Sequence, residues 1–194
     1  MIGRIILQSL KMLMVLTLIT GAAYPAVVGA AAWILFPYQA DGSLVYNDGK
    51  IAGSELLGQK FTKNIYFMPR PSATGYGTLP SGATNYGPQD ARLKDAVAAR
   101  RNELTLKFGS DAEILKSGAA REMLFASASG LDPHISPEAA MMQAGSVARA
   151  RGYDGARLEI IKKTIEYLTQ KPPFEFMGQS RINVLKLNME IDKI

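Results

Sequence analysis

His134 is the only histidine in the chain, and there is no cysteine. Any Ser-His-acid hydrolase or histidine-ligated metal site must therefore be built on this one imidazole, and thiolate chemistry is excluded. Ser129, Asp132 and His134 sit close together in Ser129-Gly130-Leu131-Asp132-Pro133-His134. Hydroxyl, carboxylate and imidazole are the types a hydrolase needs, but no Gly-x-Ser-x-Gly elbow accompanies them. Asp, Pro and Ser are equally what a turn leading into a helix requires, and the turn is the preferred reading. A phosphate loop needs glycines bracketing four positions and then Lys with Ser or Thr, and no such string occurs. Gly75-Tyr76-Gly77 lacks the third glycine and the preceding strand of a dinucleotide site. No residue is assigned a catalytic or metal-binding role. Two alternatives stay open: a membrane-anchored extracytoplasmic hydrolase dependent on His134, and an anchored solute-binding module with Tyr66, Tyr76 and Tyr86 around a closed pocket.

The elements that must position these residues can be read from periodicity. Ser136-Pro137-Glu138 starts a helix, because serine accepts from an orphan N–H, proline fits the first turn and glutamate suits the positive end of the dipole. That helix should run to about Arg151 and stop at Gly152. Leu158, Ile161, Ile165 and Leu168 mark one face of a second helix, ended by Lys171-Pro172-Pro173. Leu93, Val97, Leu104 and Phe108 mark another from about Ala91 to Phe108. Ser43 to Tyr46 and Lys50 to Ala52 read as a hairpin around Asn47-Asp48-Gly49, since Asp-Gly supplies the positive φ angles of a tight turn. Leu185, Leu187, Met189 and Ile191 alternate with polar residues, the period of a half-buried strand, and Met123 to Ala126 is a further strand candidate. Phe67 to Pro88, rich in Gly, Pro, Ser, Thr and Asn, reads as a long irregular segment of the kind that binds or covers something.

Met12 to Phe36 runs without a single charge. As a helix it would reach roughly 37 Å, against about 30 Å of bilayer hydrocarbon. A signal peptide cleaved after Ala30 is the competing reading. A retained anchor is preferred, because Trp33 and Tyr38 then lie at interfacial depth, with Pro37 ending the helix. Arg4 and Lys11 precede the run, while Asp41, Asp48 and Lys50 follow it. The positive-inside rule then leaves residues 1–11 in the cytoplasm, 12–36 across the cell membrane and 37–194 as an extracytoplasmic domain. Gly21, Ala22, Ala26, Gly29 and Ala30 suit close packing against other membrane helices. Removing Arg4 and Lys11 from the 22 basic residues leaves 20 against 17 acidic ones beyond Phe36, too mild an excess to argue for nucleic acid. The expected fold is α+β: one N-terminal transmembrane helix followed by a single soluble mixed sheet/helix domain.

Four strings are too particular for local propensity to explain. They are Gly53-Ser54-Glu55-Leu56-Leu57-Gly58-Gln59 with Phe61; Tyr66-Phe67 with Arg70-Pro71-Ser72-Ala73-Thr74; Ser127 to Ala140 (SASGLDPHISPEAA); and Asn183-Val184-Leu185-Lys186-Leu187-Asn188. In this order, behind one N-terminal span, the chain resembles the KdpC family, the C subunits of bacterial high-affinity potassium-transporting P-type ATPases. The resemblance covers essentially the whole chain.

It implies a non-catalytic subunit partnered in the membrane by a potassium-translocating channel-like subunit and an ATP-hydrolysing subunit. It also implies a catalytic chaperone that raises the ATP affinity of the ATPase subunit. Carried over by motif, the ATP-contacting residues would be Gln59, with Ser54 and Gly58 beside it. ATP is cytoplasmic, whereas the charge bias puts Gln59 outside. Orientation therefore favours Gln59 as a loop amide satisfying backbone groups. For an extracytoplasmic domain, the expected task is assembly: the loop Phe67 to Pro88 and the turn Leu131 to Ser136 would contact the channel-like subunit near its ion entrance.

Overall fold

The computed structural model describes residues 2–108, 118–174 and 176–194. It divides into two compact units, residues 1–45 and 46–194, with the division inside the first strand.

The first unit is dominated by one helix, Ile2–Leu35, with a mean hydropathy of 1.8 over its most apolar stretch. It begins ten residues before the expected span, taking in Arg4 and Lys11, and is long and apolar enough to cross a membrane. Within it, α1 (Ile2–Leu18) and α2 (Tyr24–Leu35) are joined by a π-helical turn, Ile19–Ala23. Pro25 explains this turn. It has no N–H to donate and its ring crowds the preceding turn, and one wider turn absorbs both defects. No residue of this helix is buried, so it is not the core helix of a globular fold. It ends before Pro37, which opens a short turn, α3 (Pro37–Ala40).

Next in the chain, β1 (Leu44–Asn47) and β2 (Lys50–Ser54) form the expected hairpin. Its turn has φ +48° at Asp48 and +74° at Gly49, the two positive angles of a type I′ turn. From Glu55 to Asp90 there is no helix or strand. The helices α4 (Ala91–Phe108), α5 (Gly118–Leu124), α6 (Pro137–Ala150) and α7 (Gly155–Leu168) follow. β3 (His134–Ile135) precedes α6, and β4 (Ile182–Asn183) leads directly into α8 (Val184–Ile191). β3 and β4 pair antiparallel, Ile135 opposite Ile182.

Caps account for the helix ends. The Ser136 hydroxyl accepts from Ala139 N at 3.1 Å, as expected. At the far end of α6, Tyr153 N–H reaches Ala148 O at 2.9 Å and Gly152 N–H reaches Arg149 O at 3.1 Å, with Gly152 at φ +69°. This is the Schellman arrangement, which needs a left-handed residue where the helix stops. Ala139, Ala140, Ala144 and Ala148 give α6 a narrow buried face, so α5 and α7 pack closely on it. Ile161 and Ile165 of α7, with Leu187 and Ile191 of α8, complete a core that also takes in Phe67 from the irregular segment.

Two strand expectations are overturned. Residues 185–191 are helical: of the buried residues Val184, Leu185, Leu187, Asn188 and Ile191, all but Leu185 fall on the i, i+3, i+4, i+7 stripe of an α-helix. Leu187 and Ile191 satisfy both periods, and Asn183 tips the balance by accepting from Lys186 N at 3.1 Å, capping a helix. Met123 and Leu124 are the buried end of α5 rather than strand residues, packed against α6.

Candidate functional site

The four strings singled out by sequence meet in one place. Gly58 N–H donates to Leu131 O at 2.8 Å, joining the first string to the third. A Cβ at Gly58 would lie 2.6 Å from Asp132 O, so only glycine lets the two backbones approach this closely. Asn183 joins the first string to the fourth: its side-chain amide donates to Glu55 O at 2.7 Å while its Oδ1 caps α8. Lys186 and Glu55 add an ion pair across the same junction. Arg70 Nη1 meets Asp132 Oδ2 at 3.0 Å, tying the second string to the third. Val184 N–H donates to Pro133 O at 2.9 Å, tying the third to the fourth.

Two buried amides hold the entrance of the irregular segment. Asn188 Oδ1 accepts from Phe67 N at 2.8 Å and its Nδ2 donates to Phe67 O at 3.0 Å. Gln143 does the same for the next residue, accepting from Met68 N at 2.7 Å and donating to Met68 O at 3.1 Å. Each side chain takes the place of a neighbouring strand and satisfies both backbone groups of one residue. Sequence reasoning missed this pair. The available signal was an amide on each otherwise apolar helical stripe, Asn188 among Val184, Leu187 and Ile191, and Gln143 among Ala139, Ala140, Ala144 and Val147.

The irregular segment is then locked to the turn. Ser127 N–H donates to Pro71 O at 2.9 Å, and Gly82 N–H to Ser129 O at 3.0 Å. Gly130, at φ +71°, lies so close that a Cβ would meet Thr74 Oγ1 at 2.8 Å and Gly82 O at 2.9 Å. Tyr76 donates its hydroxyl to Arg70 O at 2.8 Å, and burial pushes its pKa up to about 12.

In front of β3 opens a cleft of about 880 Å³ lined by Arg70, Glu122, Asp132, His134, Glu138 and Arg181, among others. Asp132 Oδ1 accepts from His134 N at 3.0 Å, and the Glu122 carboxylate accepts from Ser136 N at 3.1 Å. The two carboxylates thus cap the outer backbone edge of the strand, which would otherwise be open to pairing. The His134 pKa is lowered, first by burial and then by Arg181, against the opposing pull of Asp132 and Glu55.

The chemistry available here follows from these partners. Ser129 Oγ accepts from Leu131 N at 3.1 Å, and His134 Nδ1 lies 3.9 Å from Asp132 Oδ1, too far for the bond that orients a catalytic imidazole. Ser129, Asp132 and His134 build a turn. The three tyrosines are likewise separated. Tyr66 bonds Asp192 at 3.2 Å and lines one cavity, Tyr76 lines another, and Tyr86 lies under the Arg92 guanidinium at 4.6 Å. Among the expected nucleotide contacts, Gln59 Nε2 donates to Ala52 O at 3.3 Å, and a Cβ on Gly53 would occupy the position of that amide. Ser54 Oγ accepts from Leu56 N at 3.2 Å. Ser54, Gly58 and Gln59 are brought together as a tight turn that uses their polar groups on the backbone.

The sequence that builds this site matches a known group of proteins. The family model described as "K+-transporting ATPase, c chain" matches residues 6–193. A potassium-transporting ATPase KdpC subunit from Photorhabdus laumondii is 46% identical over 190 residues, covering 96% of this chain and 95% of the relative. One from Polaromonas naphthalenivorans is 44% identical over 193 residues, covering 98% and 95%. One from Leptospira interrogans is 41% identical over 188 residues, covering 97% and 93%. A match of this extent, through every string of the interlocked site, means that the chain belongs to the KdpC family, the c chains of potassium-transporting ATPases.

Proposed function

We propose that this chain serves potassium transport as an assembly subunit: its domain docks on the potassium-translocating subunit through the surface made by residues 71–82 and the turn 127–133, and so supports the ATP-hydrolysing subunit. The observation that carries this reading is the lock at Gly130. Two irregular segments some 50 residues apart are held against each other by backbone hydrogen bonds, leaving Leu79 94% exposed on a loop that is otherwise fixed. Loops held rigid before binding lose little entropy on docking, which is what a recognition surface needs. The rise in ATP affinity implied by family resemblance is proposed to pass through this assembly, since Gln59 and Ser54 bond backbone groups of their own hairpin and turn and Gly58 bonds Leu131.

The test is a photo-crosslinking residue at Leu79 or Leu131 in the full complex. Adducts with the channel-like subunit are expected, and their absence from both positions overturns the docking surface. A topology reporter fused after Ile194 tests the side of the membrane. Activity outside the cytoplasm is expected, whereas activity only inside would restore direct ATP contact through Gln59.

A further inference from the structure

Helix α7 is buried on one side only. Ile161 and Ile165 enter the core, while Ile160 and Tyr167, two turns apart on the opposite ridge, face solvent, with Tyr167 86% exposed. The charged residues nearest that ridge are Lys163 and Arg157, both basic; farther round lie Glu159, paired to Lys162 at 2.7 Å, and the exposed Glu166. Just past the helix, Phe174 O accepts from Met177 N at 2.9 Å, and Phe174, Phe176 and Met177 are all exposed. The two phenyl rings stack at 5.9 Å, and Phe176 is 85% exposed. Five large apolar side chains exposed between residues 160 and 177 exceed the scatter of single apolar residues that a soluble surface carries.

We propose that this face, α7 with Phe174, Phe176 and Met177, lies in the interface of the bilayer that holds the chain's own anchor, with Lys163 and Arg157 toward anionic headgroups. Two observations favour lipid as the occupant. Tyr, Phe and Met side chains beside Lys and Arg are the mixture that settles at headgroup depth, where rings reach apolar chains and cations stay hydrated. The same chain also carries a membrane-length helix, and only residues 36–43 connect it to the hairpin, a reach of at most about 29 Å. A bilayer is thus always within range of the domain, at an effective concentration no free surface would supply.

The test uses the full chain in bilayer discs containing anionic phosphatidylglycerol and phosphatidylcholine brominated near the headgroup. Trp33→Phe removes the native tryptophan and Phe176→Trp installs a reporter, with Tyr167→Trp as a second and Leu106→Trp, exposed on α4, as the control. Emission at positions 176 and 167 should fall about twofold or more in brominated discs relative to ordinary ones, with position 106 unchanged. Adding Lys163→Glu should weaken the quenching. Quenching at 176 and 167 no greater than at 106 would overturn the proposal. So would reporters left unquenched in the discs and shielded only when the channel-like subunit is added, a result that would assign the face to protein instead.

Discussion

Gly58→Ala is the substitution on which the interlocked site depends most directly. Gly58 has no positive φ angle, so backbone conformation does not require glycine there, and an added methyl group would by itself stabilise by about 0.4–1 kcal/mol through the unfolded chain. The obstacle is Asp132 O, 2.6 Å from the new Cβ, with Asp132 C at 3.1 Å and Leu131 C at 3.2 Å. All three are backbone atoms held by β3 and the Arg70 pair, and none can rotate away. The two segments must part by roughly 0.8 Å to reach ordinary contact, which lengthens the 2.8 Å Gly58–Leu131 hydrogen bond beyond bonding range. Losing that bond costs about 1–3 kcal/mol, and overpacking costs a similar amount. The net is about 1–5 kcal/mol, or roughly 2–20 °C in Tm for a domain of this size. Thermal unfolding of the full chain in detergent, followed by circular dichroism, measures it. Gly145→Ala is the control: it lies within α6 with nothing within 4 Å, so it should raise stability by about 0.5–1 kcal/mol. A Gly58→Ala protein melting within a degree of the parent, or moving in the same direction as Gly145→Ala, would refute the close-approach argument.

Other consequences can be checked independently. Asn188→Ala leaves both backbone groups of Phe67 buried and unpaired, which should cost about 2–5 kcal/mol and accelerate hydrogen exchange at the Phe67 amide well above that at Ile161. His134 supplies a pH signature. Its pKa is lowered in the folded state, so the unfolded chain binds the proton first, and stability should fall as pH drops below about 6.5 and level off under the folded value. Chemical denaturation from pH 7.5 to 5 should show that slope in the parent and a smaller one in His134→Gln; equal slopes would remove the burial argument.

Much of the organisation was legible in the sequence because it rests on local rules. Asp48-Gly49 specifies its turn by conformational freedom, Ser136-Pro137-Glu138 specifies a helix start by caps and dipole, and Gly152 specifies where that helix stops. The long N-terminal helix was legible for a similar reason, since an apolar, charge-free run of that length favours one continuous helix. α8 was not legible, because Leu187 and Ile191 fit both a period of two and one near 3.6. The cap at Asn183 and the contacts of Val184 and Asn188 decided between them.

The sequence by itself determined that His134 must carry any imidazole chemistry, that four strings are unusual, and that one apolar helix leads a mixed domain. Only the tertiary structure decided what the strings are for. Gly58, Asn183, Asn188 and Arg70 bond partners some 60 to 130 residues away, and no local pattern encodes a hydrogen bond across that distance. Of the residues that could have formed a hydrolase or a nucleotide contact, Ser54, Gln59, Ser129 and Asp132 each hydrogen-bond a backbone group in this fold, because peptide groups without a strand beside them find partners in side chains.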